Sequence, residues 1–268
     1  MWPATCKTYG SRISVINVGV RNLLTALGSD VGKVREINED HVYLSEQYPN
    51  GSYIAILADG MGGHLAGEIA SKTAVEIIYQ ELHPFVANAR NINELKYVLE
   101  EAIEKANSVV YQKSMKDERY RGMGTTIVAA IVNEDEILLG HIGDSRAYLI
   151  DSEKIQQLTS DHSLVNELLK SGQISEKDAI NHPRKNILTR ALGTDEYVKV
   201  DMNLLPWKKG QTLLLCSDGL TNEVSDQKIF ELVNLTPENP NHVVERLIFQ
   251  ANQAEGKDNI SVILIHHG

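Results

Sequence analysis

The chain has 268 residues, 42% of them apolar, and carries a formal net charge of −10 from 36 acidic and 26 basic side chains. That length supports one sizeable core, and the acidic balance leaves no basic stripe with which to neutralise a nucleic-acid backbone. Cys6 and Cys216 have no CxxC spacing and no apolar run approaches the roughly 18 residues of a membrane span, so a reduced, cytoplasmic protein without nucleic-acid or membrane partners is the expectation.

Residues 1–21 mix Pro, Cys, Tyr, Gly and Ser without a consistent period and read as a disordered or non-native leader, dispensable to a domain spanning 22–268. From Leu23 to Leu27 the pattern is a strand, Gly28 to Gly32 is turn material, and Val42 to Leu44 is a second strand preceded by Glu39-Asp40. Ile54 to Ala58 is an apolar strand that ends in Asp59-Gly60-Met61-Gly62-Gly63-His64, and helical periodicity begins just beyond, to about Leu82. A second helix is expected over Ile92 to Met115, its stripe running Leu95, Val98, Leu99, Ala102, Ile103, Ala106, Val109.

Strands follow over Thr125 to Val132, Ile137 to Ile142 and Ala147 to Ile150, with Asn133-Glu134-Asp135 as a turn, which points to antiparallel pairing. Ser160 to Ala191 interrupts this pattern with polar sequence, a short helix over Ser163 to Ser171 and the breaker His182-Pro183, and reads as a surface flap. Strands resume at Val198 to Leu204 and Thr212 to Cys216, then helices at Asp226 to Val233 and Asn241 to Ala254, then a final strand Ile260 to Ile265. Helices flanking mostly antiparallel strands make an α+β domain.

The glycine-rich turn after Asp59 is not a nucleotide cradle. Gly67 is followed by Glu68-Ile69 rather than Lys-Ser/Thr, and a carboxylate at the strand end repels phosphate unless a cation lies between. A capping Asp with glycines present for backbone reasons is the competing reading of this stretch. Repetition decides between them: Ser217-Asp218-Gly219 ends a second apolar strand, Gly143-Asp144-Ser145-Arg146 closes a third, Gly256-Lys257-Asp258-Asn259 opens the last, and Glu39-Asp40 precedes an early one. Oxygen ligands gathered from strand ends suit hard divalent cations, whereas zinc lacks its His-x-x-x-His or paired-Cys pattern, which leaves His64, His141 and His162 as surface or core residues.

Those motifs, with Arg35-Glu36-Ile37-Asn38-Glu39-Asp40 and Gly124-Thr125-Thr126, resemble in order and type the metal-dependent serine/threonine protein phosphatases of the 2C type in their compact bacterial form, over about Leu23 to His266. The resemblance implies a four-layer α-β-β-α sandwich of two antiparallel sheets, with two to three Mn²⁺ or Mg²⁺ ions at one end. Carried over by position, Asp59 resembles the carboxylate bridging two ions, with the Gly60 carbonyl on one and Asp218 and Asp258 on the other, while Glu39 and Asp40 resemble holders of metal-bound water. Asp144 with Asp218 resembles the ligand pair of a third ion, Asn186 falls near a further ligand position, and Arg35 resembles the phosphate-binding arginine.

With the ions that the resemblance implies, a bridging water would be acidified and the hydroxide would attack phosphorus in line. The position directly after Asp59-Gly60 holds Met61 where many eukaryotic relatives have His, so His64 is a secondary candidate for the general acid and a metal-bound water the first. The implied partners are phosphoserine and phosphothreonine proteins and a cognate serine/threonine kinase, with the chain acting as a monomer. A catalytically weak relative that binds phosphoproteins is the alternative from another class, against which the intact acids argue. A phosphatase of anti-sigma-antagonist proteins is the other.

Overall fold

The computed structural model describes residues 23–62, 65–180 and 182–268; the expected leader, Cys6 and His64 lie outside them. Eleven strands among the described residues form two antiparallel sheets. One contains β1 (Leu23–Asp30), β7 (Arg146–Ile150), β8 (Ile155–Gln157), β10 (Thr212–Cys216) and β11 (Ile260–His267), in the order β1-β11-β10-β7-β8. The other contains β2 (Asp40–Leu44), β3 (Tyr53–Met61), β5 (Ile127–Val132), β6 (Glu136–Ile142) and β9 (Asp201–Pro206) in the order β2-β3-β5-β6-β9, with the two-residue β4 (Gly124–Thr125) paired to β3.

The central strands read as continuous apolar runs because both of their faces are buried. In β3, Tyr53, Ala55 and Leu57 point into the layer between the sheets, where they meet Leu213, Leu215, Ile263 and Ile265 of the opposite sheet. The alternate residues Ile54, Ile56 and Ala58 point outward under α1 (Ala66–Val86) and α2 (Lys96–Lys116), packing on Ala70, Ala74, Ile78, Leu99 and Ile103. On the other side, Leu214, Cys216, Val262 and Leu264 lie beneath α6 (Asp226–Leu235) and α7 (Pro240–Ala254). This is the expected α-β-β-α sandwich. Period-two alternation places each central strand in two cores at once.

Several boundaries differ from the sequence reading. Gly28, Ser29 and Asp30 continue β1 instead of turning, because β11 supplies pairing partners down to Asp30↔Ile260, and Gly28 lets Val244 and Ile248 of α7 come close. The second helix begins with a 3-10 turn over Ile92–Leu95, capped by the Asn91 side chain on Glu94 N–H. The strand expected at Val198 starts only at Asp201, its partner across β6 being His141. Strand β8 and the one-turn helix α5 (Asp218–Thr221) have no counterpart in the expected pattern. In the flap the expected short helix is present as α3 (Leu164–Lys170), capped by Ser163, and a second, α4 (Glu176–Ile180), adds to it.

Candidate metal centre

Antiparallel register brings the acids together. Asp40 opens β2 directly opposite Asp59 near the end of β3, so the expected strand-end stations become neighbours in one sheet. From the other sheet, Asp218 follows the end of β10 and Asp258 precedes the start of β11, strands that pair with each other. Asp144 sits in the turn between β6 and β7, one strand from each sheet. Arg35, Glu39, Asp59, Gly60, Asp144, Asn186, Asp218 and Asp258 all line one cavity of about 230 Å³, and a second of about 280 Å³ continues from Asp144, Asn186 and Asp218 under the flap.

Asp40 is the departure from a shared surface mouth. It is buried behind the cavity, with Oδ2 accepting from Ser217 Oγ at 2.8 Å. Its other oxygen, Oδ1, and Glu39 Oε1 are buried without a hydrogen bond of ordinary geometry. Buried acceptors left in this way are costly, and a cation or its waters would satisfy them.

Electrostatics point the same way. Burial, then Asp40, Asp218, Asp144 and Asp258, hold the Asp59 carboxyl well above the usual carboxylate range. Burial and then Asp258 raise Asp218. Burial pushes Asp40 up to about 7 against the opposing hydrogen bonds of Ser261 and Ser217, and burial together with Asp218 and Asp161 pushes Asp144 up to about 8. Glu39 is likewise raised, by burial, with Arg35 opposing. Among the described residues no three His, Cys, Asp or Glu side chains close into a finished ligand cage. Carboxylates that repel one another line the cavity walls, as expected of a donor set that a divalent ion draws together.

Arg35, expected on phosphate, here donates from Nη2 to Asp258 Oδ2 at 2.9 Å, with Nη1 3.7 Å from Glu39 Oε2. Burial disfavours its charge, but Asp258, Glu39 and Asp59 together outweigh this and raise it. The guanidinium is the cation of the site in this arrangement. It rides on the loop after β1, which Asn259 ties down by donating from Nδ2 to Val31 O and Ile37 O at 2.9 and 3.0 Å and accepting Glu39 N–H at 2.8 Å.

Residues to which the sequence assigned no role hold the acids in place. Thr126 Oγ1 accepts Asp59 N–H at 3.0 Å, Thr126 N–H donates to Asp59 O at 2.9 Å, and Thr126 Oγ1 is 2.7 Å from Ser145 Oγ. Asn222 donates to Asp218 Oδ2 at 2.9 Å from one turn along α5. The Gly124-Thr125-Thr126 motif was the available signal for Thr126; nothing local marks Asn222. His141 and His162 are core residues, and no histidine among the described residues lines the cavity.

Gly60 is required by close approach. A Cβ there would stand 2.2 Å from Gly67 O and 2.6 Å from Glu39 O, both backbone atoms. Gly60→Ala must push the start of α1 off the turn, an overpacking strain of about 1–3 kcal/mol. The expected result is a thermal midpoint lowered by about 2–4 °C per kcal/mol, together with a weakened site; an unchanged midpoint in a thermal melt would refute the close approach.

A mouth of half-buried carboxylates between two sheets, with an arginine at its edge, suits divalent cations and an anionic ligand. Residues 28–250 match the family model of protein phosphatase 2C. The serine/threonine phosphatase stp of Listeria monocytogenes is 42% identical over 239 residues, 88% of this chain and 93% of that protein. The structure of the S. agalactiae serine/threonine phosphatase has a TM-score of 0.84 at 36% identity, covering 92% of this chain and 100% of that one. The catalytic domain of the serine/threonine protein phosphatase PstP, solved in complex with two manganese ions, has a TM-score of 0.79 at 32% identity, covering 91% and 97%. The chain belongs to the protein phosphatase 2C family of metal-dependent serine/threonine phosphatases.

Proposed function

We propose that residues 22–268 are one phosphatase domain that removes phosphate from phosphoserine and phosphothreonine of proteins at the Asp59 mouth and so opposes a serine/threonine kinase of the same cell. The single observation that carries this is the convergence of Asp59, Asp144, Asp218 and Asp258 on one cavity with their charge left largely uncompensated. The buried Glu39 and Asp40 oxygens that lack a hydrogen bond of ordinary geometry fit the same reading. Asp59, the Gly60 carbonyl, Asp218 and Asp258 would hold an inner pair of Mn²⁺ or Mg²⁺; Asp144 with Asp218 would hold an outer ion beside Asn186, and Glu39 and Asp40 would act through water. When bound, the ions supply an acidified water and positive charge for the phosphoryl oxygens.

The chain's own groups do the rest. Thr126 fixes the Asp59 backbone from both sides, so its carboxylate stays at the strand end. Arg35 is held here by Asp258, and released from that carboxylate its planar guanidinium would take two phosphate oxygens. No helix among the described residues is long and apolar enough to cross a membrane, which suits phosphoprotein substrates met in solution.

The reading is tested with p-nitrophenyl phosphate and a phosphothreonine peptide. Hydrolysis of both is expected with Mn²⁺ and none after chelation; turnover that survives chelator, or none under any divalent ion, would sink it. The flap contributes the exposed Lys185 and Asn186 and the half-buried Leu188 to the rim. Asn186→Ala is expected to lower phosphopeptide kcat/KM about 10-fold and p-nitrophenyl phosphate kcat/KM about 2-fold or less, since a larger substrate uses more of the rim. Equal losses on the two substrates would argue against a selecting flap. His162 is unsuited to that test, because its side chain is buried at the flap's root.

A further inference from the structure

His162 stands where the flap joins the body, and it grips Gly143, the residue before Asp144, at both its N–H and its carbonyl. Its backbone N–H donates to Gly143 O at 2.8 Å, and its ring Nδ1 accepts Gly143 N–H at 3.0 Å. The ring is only 7% exposed, so the bond to Gly143 is shielded from water. An accepting Nδ1 requires the proton on Nε2, and Nε2 lies 3.1 Å from Asp201 Oδ2, the acceptor that fixes this tautomer. Asp201 is in turn held by Arg190 Nη1 at 2.6 Å on Oδ1.

Gly143 needs such a grip. Its φ is +106°, and a Cβ there would lie 2.6 Å from the Thr126 side chain, so the turn is threaded through a narrow gap beside the residue that clamps Asp59. The other end of the same histidine reaches the flap. His162 O accepts Thr189 N–H at 2.8 Å, Leu164 N–H donates to Ile187 O at 2.9 Å, and Ser163 bridges to Leu188. Asn186 and Leu188 line the cavity that Asp144 lines. One residue thus sets the height of the Asp144 turn and of the flap strand that faces it.

We propose that His162 is a positioning residue for the outer cation site: through Gly143 it holds Asp144, and through Thr189 it keeps Asn186 in register with Asp144. The inference rests on the metal-centre reading above. The Nδ1 bond, rather than the bulk of the ring, carries the effect. An asparagine places Oδ1 where Nδ1 stands and can accept Gly143 N–H, whereas a glutamine replaces Nε2 and leaves Gly143 N–H without its acceptor.

The test is calorimetric titration of Mn²⁺ into metal-free wild type, His162→Gln, His162→Asn and Asp201→Ala, with the Mn²⁺ concentration for half-maximal p-nitrophenyl phosphate turnover measured alongside. His162→Gln is expected to weaken the weakest Mn²⁺ step roughly 10-fold or more, the usual effect of losing a group that orients a ligand, while the tighter steps stay as in wild type. His162→Asn is expected to restore that step to within about 3-fold of wild type, as an acceptor at the δ position should. Asp201→Ala keeps the imidazole but frees its tautomer, and its expected loss is intermediate. Should His162→Gln fail to fold, Asp201→Ala decides, since Asp201 lies partly exposed in β9. Equal losses in the asparagine and glutamine variants, wild-type binding in His162→Gln, or, where that variant does not fold, wild-type binding in Asp201→Ala, would overturn the proposal. Wild type that binds no Mn²⁺ would instead overturn the metal-centre reading.

Discussion

Asp59→Asn abolishes Mn²⁺-dependent hydrolysis and at the same time raises the thermal midpoint of the metal-free protein at neutral pH. Both halves follow from one observation: Asp59 is held well above the usual carboxylate range by burial and by Asp40, Asp218, Asp144 and Asp258. Ionising it beside four other acids costs free energy that folding must supply when no cation is present. An amide of the same shape removes that charge and keeps the backbone bonds to Thr126. Relieving a site strained for function commonly stabilises by about 0.5–2 kcal/mol, or roughly 2–4 °C per kcal/mol in a chain of this size. The rate falls by about 10³-fold or more, at or beyond the upper end for losing one electrostatic group, because this carboxylate would serve more than one ion. Thermal melts in chelator and initial rates in Mn²⁺ check it, and a variant that turns over normally would remove Asp59 from the centre.

The sandwich was legible because burial on both faces writes long apolar runs into β3, β10 and β11, and because the first two runs stop at an acid and the third starts just after one. What the sequence hid was short or distant. Strand β8 and helix α5 have three and four residues, too few to show a period. The burial of Asp40 was hidden because a carboxylate at a strand edge reads as solvated, and only Ser217, 177 positions along the chain, reveals that it is enclosed. The roles of Thr126 and Asn259 have the same cause: their partners Asp59 and Glu39 are 67 and 220 positions away. Arg35 was found as a residue and not as a contact, since its choice between Asp258 and a phosphate depends on what else occupies the site.

Mn²⁺ stabilises the protein more at pH 8 than at pH 5.5, and its binding releases protons. Asp40 and Asp144 are raised from 3.8 to about 7 and about 8 in the folded protein. For a carboxyl raised on folding, the sign is fixed: its contribution to stability is fully present below the unfolded value of 3.8 and is lost as pH rises through the folded one. The metal-free protein therefore loses stability between about pH 4 and 8, at up to about 1.4 kcal/mol per pH unit for each proton retained by the native state. A divalent ion binds the ionised carboxylates, so at low pH it must first displace those protons. At a free Mn²⁺ concentration 100 times Kd the gain is about 2.7 kcal/mol, an upward shift of about 5–10 °C, and it shrinks toward acid pH as the apparent Kd rises. Calorimetry at pH 6 in two buffers of different ionisation enthalpy reads the released protons directly, with about one to two per protein expected from the two groups. Identical heats in both buffers, together with a Mn²⁺-induced shift that does not change between pH 5.5 and 8, would show that Asp40 and Asp144 are already ionised before the metal arrives.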